Sequence, residues 1–151
     1  MKNEIVHRIY AVCNTGYNQS LDDKDCAVRA IANALKIEYQ ESFDLLKKYG
    51  RKAGEGTTPS TIHNALKEFP NVSIFGAFGG KNEFVHRRYG MKQGEIKVYH
   101  GTSVKSFAKA RPKGTYIVLT TTHVLVVRDG EIVGNKYERV RSHVDIVYQV
   151  N

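Results

Sequence analysis

Along the chain, apolar positions recur first at helical spacing and later at strand spacing. Ala27, Ala30, Ile31, Ala34 and Leu35 mark one face of a helix, and the small alanines suit an element held close to its neighbours. Asp22 or Asp23 is the expected N-cap of that helix. A second helix is expected over 39–49, with Phe43, Leu45 and Leu46 as its apolar part and Gly50 as its stop. Thr58-Pro59 opens a third, with proline at the first helical position and Ile62, Leu66 and Phe69 turned inward. Thr102 or Ser103 caps a short helix through Ala110, which Pro112 ends.

The clear strands gather near the C-terminus. GTYIVLT reads as a strand, and VDIVYQV closes the chain as another. HVLVV and EIVGN flank Asp129-Gly130, the residue pair of a two-residue type I′ hairpin turn. Residues 4–12 form at most a short strand, and 14–22 are a loop rich in turn formers. Within 71–100, IKVYH reads as a strand, GAFGG (76–80) as a flexible glycine loop, and the remainder as a surface excursion. Helices first and strands later give an α+β fold, with N-terminal helices packed against a C-terminal antiparallel sheet.

Length and composition set the class. The chain has 151 residues, which fits one domain spanning 1–151, and 41% of them are hydrophobic, enough for one core. No stretch approaches the ~20 consecutive apolar residues that cross a bilayer, so no membrane partner is expected. The start, MKNEIVHRIY, carries charge where a signal peptide needs an apolar run, so a soluble, cytoplasmic protein is expected. Lys plus Arg number 23 against 15 Asp plus Glu, a formal charge of +8 that favours an anionic partner such as nucleic acid. The basic residues are scattered in short runs rather than gathered in a tail.

The candidate chemistry centres on Cys26. In the first turn of a helix, unpaired N–H groups and the positive end of the dipole favour a thiolate, the nucleophilic form. Asp22, Asp23 and Asp25 crowd the same turn and work against it, so a positive partner must outweigh them. His123, at the mouth of the HVLVV strand after three threonines, can be that partner. If Asp129 and Gly130 are the hairpin loop, Arg128 faces Glu131 and the pairing runs back until Val124 faces Asn135. Asn135 then stands beside His123 and can orient one imidazole nitrogen while the other meets the thiol. Asp129 cannot do this, because six residues of strand put it roughly 20 Å away at ~3.3 Å per residue. Taken singly, Cys26 also fits a buried core thiol, His123 an ordinary satisfied histidine and Asn135 a turn residue.

As a set these residues resemble the papain-like cysteine peptidase fold. DCAVRAIANAL, YQESFDLLKKYGRK and PKGTYIVLTTTHVLVVRDGEIVGN are similar to small papain-like proteins encoded by bacteriophages, over residues 23–69 and 112–136. The resemblance implies Cys26 as nucleophile, His123 as general base and Asn135 as the orienting residue, a place where many relatives carry Asp. It also implies a glutamine before the cysteine as oxyanion donor. Gln19 lies seven residues before Cys26, with Asn18 beside it as the alternative. The implied activity is hydrolysis of a peptide or isopeptide amide, with a host or viral protein as substrate, in the cytoplasm of a phage-infected bacterium.

Two other function classes stay open on sequence: a papain-like module without catalysis that grips a protein partner, and a basic nucleic-acid binder. A cell-wall amidase also uses Cys and His, but the start of the chain argues against export. No cofactor is expected. His63, His86, His100 and His143 lack paired metal ligands, and GAFGG lacks the Lys-Ser/Thr of a phosphate loop. Cys13 reads as a buried strand-end thiol, and Phe84, Arg87, Arg88 and Tyr89 as a stacking, basic surface or a substrate lip.

Overall fold

A computed structural model describes residues 24–79, 96–121, 123–133 and 141–151. Three helices come first: α1 (Cys26–Leu35), α2 (Tyr39–Lys48) and α3 (Pro59–Leu66). Then follow β1 (Val72–Phe78), β2 (Val98–Tyr99), α4 (Val104–Lys109), β3 (Thr115–Thr120), β4 (Val124–Arg128), β5 (Glu131–Val133) and β6 (Val144–Val150). The strands form one sheet in the order β2-β1-β6-β3-β4-β5. The fold is α+β.

Local signals account for the helix ends. The Thr58 side chain accepts from the Thr61 N–H at 3.3 Å, and Pro59 occupies the first helical position, where its missing N–H costs nothing. Ser103 caps α4 the same way, accepting from Ser106 N–H at 3.1 Å. Gly50 follows α2 with φ +114, a conformation that glycine tolerates and other residues resist. The β4–β5 turn is the expected type I′ hairpin, since Asp129 and Gly130 have φ of 51 and 83. Its pairs are Arg128↔Glu131, Val127↔Ile132 and Val126↔Val133, the register anticipated from the sequence.

The sheet is buried on both faces. Ile117, Leu119, Val124, Val126, Ile146 and Tyr148 join the core under α1, α2 and α3. Val118, Leu125, Val127, Val144 and Val147 join a second core under α4. Double burial explains why β3 and β4 read as nearly unbroken apolar runs rather than as alternating strands.

Three expectations are corrected. GAFGG is not a flexible loop through its first residues: Gly76, Ala77 and Phe78 belong to β1, which pairs along β6. The glycine is there for contact, because the Tyr99 ring packs against it; an added Cβ would meet ring carbon Cδ2 at 2.8 Å. The sheet is mixed rather than antiparallel, since β1 and β2 run parallel while the other neighbours run antiparallel. A two-residue strand at the sheet edge carries too little pattern to show its direction. Finally, α1 begins at Cys26, so the N-cap position is Asp25 rather than Asp22 or Asp23.

Candidate active site

Cys26 is the first residue of α1 and is half-buried against the core beneath that helix. The helix is buried on every side from Ala27 to Ala34, which fixes the position of its first turn. Asp25 precedes it with no side-chain cap hydrogen bond. Its carboxylate turns instead toward two buried partners. Arg29 Nε lies 2.9 Å from Oδ1, and the Tyr39 hydroxyl donates to Oδ2 at 2.6 Å. Arg51 ties down the preceding residue, its Nη2 donating to the Lys24 carbonyl at 3.3 Å.

This network changes the electrostatics expected from sequence. Asp25 is not a loose negative charge beside the thiol: Arg29 compensates it, and the ion pair is almost solvent-free at 5% and 7% exposure. Because the carboxylate is committed there, it does not occupy the N–H groups of the first helical turn. Sequence reasoning passed over Arg29, Tyr39 and Arg51. The signal for Arg29 was present, since an arginine four residues after Asp25, inside an otherwise apolar AVRAIANAL run, is a ready (i, i+4) partner.

The orientation of α1 on the sheet places the other candidates. The helix packs on β3 and β4. Near its C-terminal end, the Asn33 carbonyl accepts from Arg128 Nη2 at 2.9 Å, which anchors it at the far end of β4. Burial draws the Arg128 guanidinium below its ordinary value, and the neighbouring Asp129 charge works the other way. From Asn33 back to Cys26 is ~10 Å of helix. From Arg128 back to His123 is ~17 Å of strand. From this anchor α1 leads back to Cys26 and β4 leads back to His123.

His123 stands just before β4, across the β3–β4 turn from Thr120. Its carbonyl accepts from the Thr120 N–H at 2.9 Å and from the Thr120 hydroxyl at 3.2 Å. Leu119 and Val124, the next pair inward, face α1. Strict alternation carried one residue further would give His123 the α4 face with Leu125. A ring that meets Cys26 must depart from that alternation at the strand's first step.

Asn135, Gln19, Asn18 and Cys13 lie outside the described residues, as do Asp22, Asp23, the expected strand at 4–12 and the Phe84–Tyr89 surface. His63, set aside on sequence, has a phenol partner: its Nδ1 is 3.0 Å from the hydroxyl of buried Tyr148. No protein family matches the chain, and neither does any curated protein or solved structure.

Proposed function

We propose that the chain is a papain-like thiol hydrolase of peptide or isopeptide bonds. The observation that carries this reading is the place of Cys26: half-buried and first in a buried helix whose other end is tied to β4. In the proposed reaction Cys26 Sγ attacks the amide carbonyl carbon while His123 takes the thiol proton. The Cys26 N–H and the side chain of Gln19 or Asn18 hold the oxyanion. The C–N bond breaks as His123 returns the proton to the departing amine. Water, deprotonated by His123, then cleaves the thioester and frees Cys26. Asn135 orients the imidazole throughout. A host or viral protein in a bacterial cytoplasm is the proposed substrate.

A second reading keeps the fold without the catalysis, as a module that grips a protein. The strand alternation that assigns His123 to the α4 face favours it. Peptide-resolved alkylation by iodoacetamide at pH 6 separates the two, with Cys13 as internal reference. For the hydrolase, Cys26 reacts at least tenfold faster than an unperturbed thiol, and His123→Ala removes that advantage. Equal rates in the two proteins discard the hydrolase and leave the binding module.

A further inference from the structure

The charge surplus is not spread evenly over the fold. Residues 96–128 contain six basic side chains, Lys97, Lys105, Lys109, Arg111, Lys113 and Arg128, and no carboxylate. Arg128 faces the helices, where it bonds Asn33. The other five belong to α4 and the segments on either side of it, on the sheet face opposite α1. Lys97, Lys105, Lys109 and Lys113 are exposed. The ion pairs Arg29–Asp25 and Lys48–Glu68 both lie in the helical half. Two acids flank this stretch in sequence: Glu95, which lies outside the described residues, and Asp129, which accepts from the Gly114 N–H at 3.0 Å.

The same face carries aromatic rings in a shared orientation. Half-buried Phe75 and Tyr99 stack at 5.4 Å and 14°, and Phe78 stacks on Tyr99 at 5.0 Å and 18°. The Arg111 guanidinium lies over the Phe75 ring at 4.7 Å. Among the described residues, its buried Nε has no hydrogen-bond partner. Alternation along the β2 edge puts Lys97 on the side of Tyr99. Exposed cations set around stacked and partly open rings match a ligand that is both polyanionic and flat-faced.

We propose that the α4 face and the β2 edge bind single-stranded nucleic acid. Lys97, Lys105, Lys109 and Lys113 pair with phosphates, and Tyr99 stacks on an unpaired base. A duplex keeps its bases stacked on one another and offers Tyr99 nothing, and an acidic protein uses the cations but not the ring. The site is separate from Cys26 and stands whether or not the thiol is catalytic.

The test is fluorescence anisotropy of the full chain with labelled dT and rU 20-mers. For four phosphate contacts, affinity should fall about 50-fold between 50 and 200 mM salt, from a slope near −0.7 per contact. Lys105→Glu with Lys109→Glu should weaken binding at least tenfold, and Tyr99→Ala should weaken it without changing the salt slope. Lys47→Glu with Lys52→Glu, in the helical half, should stay within twofold. Should the α4 variant lose its circular dichroism signal, Lys97→Glu with Lys113→Glu replaces it at positions outside the helix. The proposal is overturned by no binding at 50 mM salt or by equal weakening from the helical-half control. Duplex DNA or polyglutamate binding as tightly as the single strands overturns it too.

Discussion

Replacing Arg29 by Met tests whether the buried ion pair holds the start of α1. Asp25 and Arg29 are 5% and 7% exposed, so neither charge has water to fall back on. Methionine keeps most of the aliphatic volume and removes only the guanidinium. The Asp25 carboxylate then keeps the Tyr39 hydroxyl and loses its counter-charge. Breaking a buried pair on one side costs about 3–5 kcal/mol, because the remaining charge is left uncompensated. For a chain of this size, with ~2–4 °C per kcal/mol, the melting temperature should drop by roughly 6–20 °C. Urea unfolding of the wild type, Arg29→Met, Asp25→Asn and the double variant gives the coupling directly. The double variant should be more stable than the sum of the single losses by at least ~2 kcal/mol, since it leaves no orphaned charge. A loss under ~1 kcal/mol for Arg29→Met, or simple additivity, would refute the idea that this pair anchors the helix.

Tyr39→Phe deletes the hydroxyl that donates to the same carboxylate and should cost about 1.5–3 kcal/mol, read in the same urea titration. Gly76→Ala drives a methyl group into the Tyr99 ring, and overpacking of this kind costs about 1–3 kcal/mol; hydrogen exchange should show β2 loosening from β1 first. Glu68 accepts from both Lys48 and Tyr49 and clasps α3 to α2. Hydrogen bonds from Lys48 and Tyr49 hold its carboxyl below the usual carboxylate range, so the clasp is complete above that range and disappears as pH falls through the lowered value. The same carboxylate raises Tyr49 and Lys48, so the clasp also fails as pH rises through their raised values. The difference in melting temperature between wild type and Glu68→Gln should therefore be small, confined to intermediate pH and reduced by salt, since these groups are exposed.

The sequence by itself determined most of the local structure, because the deciding interactions span only a few residues. Capping by Thr58 and Ser103, the stop at Gly50 and the Asp129-Gly130 turn each depend on neighbours within one helical or hairpin turn. The hairpin turn even set a register, since two left-handed residues leave one way to pair Arg128 with Glu131. The position of Cys26 in the first turn of a helix was legible for the same reason.

Only the tertiary structure decided the features that rest on residues distant in the chain. Gly76 looked like loop because its reason for being glycine, the ring of Tyr99, lies twenty-three residues away in sequence. The direction of β2 depends on a crossover, and two residues carry no period from which to read it. Asp25 looked like a charge opposed to the thiol until Tyr39, brought back by the α1–α2 turn, and buried Arg29 closed around it. The scattered basic residues of 97–113 came to one face only when α4 packed on the sheet side opposite α1. Local energies write themselves into neighbouring letters. Charge compensation, ring packing and shared surfaces come from burial, which is a property of the whole fold.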